Sequence, residues 1–501
     1  MSTPTPSSRT VEDFFDNEYL AYAMYVVESR AIPSLVDGFK VSQRKIAFAA
    51  NKLWKGDNGK PMKVFQLGGQ AAALAYYHHG SLDQTIIGMT QGFKNSLSIF
   101  QGVGQFGSLR SPEAGAPRYI GVKFNDNFRL LYKDFDLVTP KLEEGVEIEP
   151  EFYLPIIPTV LLNGGSGIAV GFATNILNRR PVDLVDACVD VVNNGGADYP
   201  LVPWVNGFNG SVELLKGADK TWVFRGMFEV KNTSTVEVTE IPPSFTYEKY
   251  EAHLESLIEK GTMVSYEDSS SDRVHYTLKF GRQILADLIK KDRLSDLLKM
   301  REQATENITT LDETGKLRIF EKPQDLVAYF VRFRLGYYAR RKEKVLADLD
   351  RDLLVLEAKA LFIAAVESGE IVLSGTKKAD LIQRIRELGI RKHEDGYDFL
   401  LSMPVYSLTK EKHAELLKRI EDTKAERIKV AATPPEASYL ADLAELRKEL
   451  VKKMGGPPAP PTRRARVAVP PVAEVKPTTP PPVVAPTPEK PKEFDLLSYF
   501  K

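Results

Sequence analysis

Ala116-Pro117-Arg118-Tyr119-Ile120 is the stretch of this 501-residue chain that says most about its fold and chemistry. It lies downstream of the run Tyr77-His78-His79-Gly80. A tyrosine phenol has a reference pKa of about 10, so only about one in a thousand is ionised at pH 7. Neighbouring positive charge favours the phenolate and stabilises charge that develops on a phosphodiester. On these five residues alone, a surface Arg-Tyr pair beside a strand is the simpler interpretation, so the surroundings decide.

The charge around this stretch is unevenly distributed. The whole chain has 67 basic and 67 acidic residues, but the segment from Gly38 to Lys133 has thirteen Lys and Arg against four acids. The following segment, Asp134 to Glu151, is strongly acidic. A neutral chain that concentrates positive charge in one segment fits a nucleic-acid contact there. The alternative is a solvated basic face.

Composition limits the class of protein. A chain of this length predicts two to four domains. The single cysteine, Cys188, excludes an internal disulfide framework and a Cys-rich metal site. No apolar run approaches the length of a membrane span, and the first nine residues do not resemble a secretory signal. We therefore expect a soluble intracellular protein.

Short helices dominate the prediction for the basic segment. Those helices and a following hairpin are typical of a winged-helix or helix-turn-helix module. The predicted elements are a helix from Val11 through Tyr22, a turn at Asp37–Lys40, helices at Ser42–Ala50, Gly69–Tyr77 and Leu82–Gly92, and a hairpin from Val122 onward.

The sequence pattern changes beyond the basic and acidic segments. Alternating strand-like and helical segments from about Val202 to Phe320 predict an α+β domain. From Pro323 a long apolar stripe, and a return helix that begins near Thr409 and breaks at Thr433-Pro434-Pro435, predict an antiparallel coiled-coil arm with a helical knob. Ordinary helical-bundle packing is the alternative. The Pro-rich tail from Gly455 is predicted to be a disordered linker.

Five motifs, in order and spacing, resemble those of the breakage-reunion subunit of type IIA DNA topoisomerases. The resemblance runs from about Tyr19 to Lys452, and the chain is similar in extent to the separate medium subunit of T-even-type bacteriophage enzymes. The motifs are Asp37-Gly38-Phe39-Lys40-Val41-Ser42-Gln43-Arg44-Lys45-Ile46, Tyr77-His78-His79-Gly80, Gly104-Gln105-Phe106-Gly107, Pro117-Arg118-Tyr119-Ile120, and Pro155-Ile156-Ile157-Pro158 with Asn163-Gly164-Gly165-Ser166-Gly167-Ile168.

This resemblance implies an α+β, multidomain architecture with five segments. They are an N-terminal arm (1–27), a winged-helix DNA breakage-reunion domain (28–178), an α/β tower domain (179–322), a long antiparallel coiled coil with a helical C-gate (323–454), and a disordered Pro-rich tail with a C-terminal docking motif (455–501).

The resemblance also implies a transient double-strand break in one duplex and passage of a second duplex. Tyr119 would be the nucleophile, forming a 5′-phosphotyrosyl link and freeing a 3′-hydroxyl. Arg118, His79 and Arg44 would assist at the scissile phosphate. Ile168 matches the family residue that inserts between base pairs and bends the duplex, with a core isoleucine as the alternative. The other implied DNA contacts are Lys40, Lys45 and Lys123.

Cofactors and partners follow from the same resemblance. Mg²⁺ and ATP would be held by a large partner subunit that carries the ATPase and metal-binding domains. Other expected partners are double-stranded DNA, a second copy of the chain and, through Phe494–Phe500, a replication sliding clamp. Membrane association is not expected, and the location would be the cytoplasm of a bacterial host.

Two other function classes stay open at this point. A tyrosine-dependent double-strand-break protein would also pair a winged helix with a catalytic tyrosine, but it would lack the long arm from Pro323 to Val451. A non-catalytic architectural DNA binder with a coiled-coil dimeriser would leave the Arg118-Tyr119 and His79 constellation without a purpose.

Overall fold

A computed structural model describes residues 11–54, 59–76, 82–196, 198–271, 273–393 and 396–454. The described chain is mixed α+β, as the sequence predicts. It divides into two compact units, of which the second is Arg332–Asp442 and the first contains the remaining described residues. Among the described helices, none combines the length and the apolar character needed to cross a lipid bilayer.

The first unit opens with short helices and short strands. Residues 11–31 are helical throughout, with π-helical turns at Phe14–Tyr19 and Val27–Ala31. The helices are α1 (Val11–Asp13), α2 (Leu20–Val26), α3 (Val41–Trp54), α4 (Val64–Leu74), α5 (Leu82–Thr90), α6 (Asn127–Leu131) and α7 (Thr159–Asn163). The strands are β1 (Met62–Lys63), β2 (Phe100–Val103), β3 (Gly121–Phe124), β4 (Tyr132–Lys133), β5 (Pro140–Glu143), β6 (Val146–Pro150), β7 (Leu154–Pro155), β8 (Gly165–Ile168) and β9 (Ala173–Ile176).

Strand β3 corrects one prediction. It does not open a hairpin with the residues that follow it; it is the middle strand of a three-stranded antiparallel sheet in the order β1-β3-β2. Aromatic packing explains this pairing, because Phe124 stacks on Phe100 of β2 with ring centroids 5.4 Å apart. Phe124 also stacks on Phe128 of α6, at 4.6 Å, so the chain turns into a helix after β3.

The next part of the first unit forms a second, antiparallel β-region. A four-stranded sheet in the order β12-β13-β15-β14 buries one face against α9, whose first turn is capped by the hydroxyl of Thr246. The elements are α8 (Pro181–Asn194), β10 (Ser211–Leu214), β11 (Thr221–Arg225), β12 (Met227–Val230), β13 (Thr235–Glu240), α9 (Tyr247–Glu259), β14 (Ser265–Asp268), β15 (Tyr276–Lys279), α10 (Arg282–Lys290), α11 (Leu294–Leu297), β16 (Arg301–Thr305), β17 (Ile308–Leu311) and β18 (Leu317–Phe320).

Helices dominate the rest of the chain, as the apolar stripe predicts. The predicted break at Thr433-Pro434-Pro435 is confirmed, but the Thr409 side chain makes no capping hydrogen bond. The helices are α12 (Pro323–Glu367), α13 (Lys378–Glu387), α14 (Asp398–Leu401), α15 (Lys410–Ala432) and α16 (Pro435–Met454).

Within the second unit, α12 and α15 run antiparallel. Ion pairs join them at descending register, and their apolar seam contains part of the predicted stripe, Leu353 and Ala360, packed against Ile420. The ion pairs are Asp350–Arg427, Glu357–Lys424 at 2.7 Å and Glu367–His413 at 3.2 Å. Beyond this seam, α13 and α14 pack on the end of α12 around their own apolar cluster.

Candidate nucleic-acid interface

Tyr119 is the last residue of a tight turn, Pro117–Tyr119, which we call the tyrosine turn. Its amide donates to the carbonyl of Ala116 at 2.9 Å, and β3 begins two residues later. The side chain is 68 % exposed. The Arg118 guanidinium lies 4.8 Å from the centre of that ring. The turn therefore presents a phenol to solvent with a cation directly beside it.

The start of α4 holds the tyrosine turn in place. The first amides of a helix have no partner within the helix. Here the amide of Val64 donates to Ile120 at 3.2 Å, and that of Phe65 donates to Pro117 at 3.3 Å. The Lys63 ammonium completes the contact by donating to the carbonyl of Tyr119 at 2.7 Å. The turn and α4 thus satisfy one another's main-chain groups.

The residues before the turn, 104–116, form a second anchored segment, the tyrosine loop. The buried Gln91 amide, just after α5, donates to the carbonyls of Phe106 at 2.8 Å and Pro112 at 3.1 Å. Gly107 has φ +81°, and a Cβ there would lie 2.7 Å from the Pro112 carbonyl oxygen, so the close approach requires glycine. These contacts account for the glycine at the end of the Gly-Gln-Phe-Gly motif. Gln91 was missed by sequence reasoning, because nothing in the local pattern distinguishes it.

Arg44 and Lys45 lie in the interior, not on the surface. Arg44 forms a two-pronged ion pair with Asp37, at 2.7 and 3.0 Å. Burial lowers the pKa of Arg44, but the charge and hydrogen bonds of Asp37 outweigh it, so the pKa is raised overall. The Lys45 ammonium is buried between the carbonyl of Ala75, at 2.6 Å, and the carboxylate of Glu149, at 2.8 Å. Neither side chain is exposed to solvent, so direct DNA contact by Lys45 stays a prediction, and Arg44 lies where it shapes the Asp37–Lys40 turn.

Lys40 borders an open cleft at the start of α3. Its ammonium donates to the carbonyl of Ser166 at 2.8 Å, and burial lowers its pKa. The cleft has a volume of about 510 Å³ and a mainly polar lining. Its other lining side chains include Arg30, Ser42, Gln43 and Thr85. Lys123, half-buried on β3 opposite Gln101, is a separate basic position.

Ile168 ends β8 in a hairpin whose second strand is β9. The side chain is 88 % exposed, so the alternative of a core isoleucine is wrong. Its neighbour Gly167 passes so close to the main chain of Ala31 that a Cβ would lie 2.0 Å from the Ala31 carbonyl oxygen. The main chain beside Ile168 is therefore packed against Ala31, while the Ile168 side chain itself is presented to solvent.

The structure brings the predicted residues together in two groups. Arg118 and Tyr119 lie on the tyrosine turn, where Lys63, which the sequence did not single out, binds the Tyr119 carbonyl, whereas Lys40 contacts the hairpin that carries Ile168. His79 lies outside the described residues, as does the rest of its motif. Within the described part of the chain, no cluster of three or more His, Cys, Asp and Glu side chains could hold a metal ion.

The sequence matches the family of DNA gyrase/topoisomerase IV A subunits over residues 30–447. It is 34 % identical to DNA topoisomerase 2 of Arabidopsis thaliana, over 88 % of this chain and 33 % of that protein. It is 31 % identical to the DNA topoisomerase medium subunit of Enterobacteria phage T4, over 88 % of this chain and 99 % of that phage protein. The chain therefore spans about a third of the plant relative but nearly all of the phage one.

Comparison of the fold with solved structures also finds a topoisomerase. The structure matches the Plasmodium falciparum topoisomerase II DNA-binding, cleavage and re-ligation domain with a TM-score of 0.76 and 30 % identity. The match covers 88 % of this chain and 64 % of that structure.

Proposed function

Because the chain belongs to the family of DNA gyrase/topoisomerase IV A subunits, we propose that it is the DNA cleavage and religation subunit of an ATP-dependent type II DNA topoisomerase. It makes a transient double-strand break and allows a second duplex to pass. The observation that carries this proposal is the exposed Tyr119 phenol beside Arg118, on a turn that Lys63 and the start of α4 hold in place.

The proposed chemistry is a reversible exchange of phosphodiester bonds. The Tyr119 oxygen attacks phosphorus, the bond to the 3′-oxygen breaks, and that oxygen takes up a proton to become a 3′-hydroxyl. The protein is then linked to the 5′ end, and religation reverses each step. Arg118 and Lys63 place positive charge around the turn, where negative charge develops on the phosphoryl oxygens. His79 stays a proposed assisting residue from sequence alone.

DNA contact is proposed at the two surface groups. Lys40 and Lys123 bind backbone phosphates, and Ile168 inserts between base pairs to bend the duplex. Contact between water and the apolar Ile168 side chain is unfavourable in the free protein. Its exposure therefore fits a role in the complex with DNA. Arg44 acts indirectly, by holding the Asp37 turn that leads to Lys40.

The proposed domain assignment keeps the predicted boundaries. Helices α3 to α5 and the β1-β3-β2 sheet support a winged-helix domain within 28–178, preceded by an arm at 1–27. The four-stranded sheet with α9 supports a tower domain at 179–322. The antiparallel α12 and α15 support a coiled coil with a C-gate at 323–454. The tail, 455–501, lies outside the described residues.

Two protein partners are proposed. One is a second copy of the chain, because the second unit leaves apolar side chains of Leu361, Val372 and Leu373 exposed. The other is a large subunit that carries Mg²⁺ and ATP, since the phage relative is by name a medium subunit of a larger enzyme. The described residues include no cluster of three or more His, Cys, Asp and Glu side chains that could hold the ion, so the large subunit would supply its ligands.

Two further expectations have less support. Docking of Phe494–Phe500 on a sliding clamp stays a prediction, because that segment lies outside the described residues. Similarity to the phage relative supports action in the cytoplasm of a bacterial host.

The comparisons argue against the two alternative function classes. The family match spans residues 30–447 and so includes the arm that a double-strand-break protein would lack, and topoisomerase relatives argue against a purely architectural role. Reconstitution with a large subunit tests the proposal: we expect relaxation of supercoiled DNA that needs both chains, ATP and Mg²⁺. Relaxation when this chain is left out, or none by the pair, would refute it.

A further inference from the structure

Arg110 ties the tyrosine loop to the connection between β13 and α9. Its guanidinium is buried and donates to the carbonyls of Pro242 and Phe245, both at 3.0 Å, and of Ile241, at 2.7 Å. It also pairs with the carboxylate of Glu240, the last residue of β13. One side chain from the loop therefore binds three main-chain carbonyls and one carboxylate that lie more than a hundred residues away in sequence.

Other contacts make this connection rigid. The amide of Tyr247, at the start of α9, donates back to the carbonyl of Arg110 at 2.9 Å. The second oxygen of Glu240 accepts from the amide and side chain of Asn209, at 3.1 and 3.0 Å. Because both ends of the ion pair are fixed by further bonds, its partners have little freedom to shift.

The anchor lies between the other fixed points of the same loop. Gln91 holds Phe106 and Pro112, on either side of Arg110 in sequence. The amide of Gly115 then closes the loop on the carbonyl of Gln105 at 2.9 Å, immediately before the tyrosine turn. A movement of Arg110 would thus be transmitted through a short, hydrogen-bonded path to Tyr119.

We propose that Arg110 is a positioning residue for Tyr119, which fastens the tyrosine loop to the β13–α9 connection so that the phenol is held where it can reach a phosphate. The inference rests on the proposed function, in which Tyr119 is the nucleophile. The planar guanidinium suits this task because its five N–H donors have fixed directions, whereas the three donors of an ammonium share one freely rotating nitrogen. A misplacement of about 1 Å remote from the chemistry can reduce rate about 100-fold.

The test compares three variants in the enzyme reconstituted with its large subunit. The variant Arg110→Lys keeps the charge but not the fork of donors, and Glu240→Gln keeps the shape of the partner but not its charge. The matched control is Arg179→Lys: it alters another buried Arg–Glu pair of the first unit, Arg179–Glu306 at 2.6 Å, whose recorded partners lie outside the tyrosine loop.

Three readouts separate positioning from folding. They are the folded fraction from thermal unfolding, the dissociation constant for a DNA duplex, and the fraction of DNA covalently attached at saturating DNA and equal folded protein. We expect Arg110→Lys to lower covalent attachment by about 10- to 100-fold with DNA affinity unchanged within about twofold. Glu240→Gln should lower attachment by less, and Arg179→Lys should leave it unchanged although it also destabilises the fold.

The outcomes distinguish the two proposals. If the wild type attaches to DNA and folded Arg110→Lys attaches equally well, the positioning role is overturned and the proposed function stands. Equal losses in Arg110→Lys and Arg179→Lys would also overturn it, because they indicate a general effect of buried ion pairs. No attachment by the wild-type enzyme would overturn the proposed function, and the inference with it.

Discussion

The Lys63 ammonium donates a 2.7 Å hydrogen bond to the main-chain carbonyl of Tyr119. Lys63 is the residue before α4, so this bond fixes the tyrosine turn to the start of a helix while leaving the phenol itself exposed. The arrangement suits the proposed role of Tyr119 as a nucleophile, because the main chain is held while the side chain remains accessible.

Lys63→Met should lower covalent attachment of DNA by about three- to tenfold, because an exposed charged hydrogen bond contributes on the order of 1 kcal/mol. The matched control is Lys60→Met, which removes the same charge from the same basic segment at an exposed position. Attachment at saturating DNA is the measurement. Equal effects of the two substitutions would show that only the net charge of the segment matters.

Ile168→Ala should leave the free energy of unfolding within about 0.5 kcal/mol of the wild type, since the side chain is exposed. It should nevertheless reduce the bend of bound DNA, measured by energy transfer between dyes at the two ends of a duplex. The control Ile176→Ala, at a buried position of the paired strand β9, should instead cost about 2–5 kcal/mol of stability. An unchanged bend in Ile168→Ala would remove the wedge role.

The free energy of unfolding should depend on pH through Asp312. Burial raises its pKa, but hydrogen bonds from Thr314, Lys316 and Arg318 outweigh this and hold the pKa below its ordinary value of 3.8. The ionised form therefore stabilises the fold above that value, and the contribution is lost as pH falls through the lowered pKa.

Asp312→Asn should accordingly be less stable than the wild type at pH 7, and the difference should shrink as the pH falls below about 4. Denaturant unfolding between about pH 2.5 and 7 measures it. Exposed Asp219→Asn serves as the control and should show little difference at any pH. A stability gap that is constant with pH would contradict the assignment.

Association of two chains should depend on the exposed apolar residues of the second unit. Leu361→Asp with Val372→Asp should raise the dissociation constant of the dimer at least about tenfold, because a charge would be buried at the contact. Sedimentation equilibrium measures this, and exposed Lys418→Glu on α15 controls for the change of charge. Dimers of wild-type strength in the double variant would place the interface elsewhere.

The sequence predicts some of these features and not others, for physical reasons. The apolar stripe predicted the long helix α12 and the proline pair predicted the break after α15, because both signals are local. The interior position of Lys45 could not be foreseen, since its partner Glu149 is more than a hundred residues away. The pairing of β3 likewise depends on aromatic contacts that only the folded chain creates.

The residues of the candidate site also differ in whether the sequence reveals them. Arg118-Tyr119 is visible as a motif, and the structure adds the exposure of the phenol and the anchors of the turn. Arg44 belongs to a motif but is buried against Asp37, because a motif does not tell which of its side chains face solvent. Arg110 carries no sequence signal at all, since its acceptors are main-chain carbonyls of a distant turn.

The central claim is that Tyr119 forms the covalent link to DNA, and direct identification of the linked residue tests it. The chain, reconstituted with a large subunit, is incubated with duplex DNA and Mg²⁺ and denatured rapidly; protease digestion and mass spectrometry then locate the modified peptide. We expect the nucleotide on Tyr119, attached through 5′ ends, and no adduct from Tyr119→Phe with DNA affinity within about twofold of the wild type. An adduct that persists in Tyr119→Phe, or one that is attached through 3′ ends, would contradict the account.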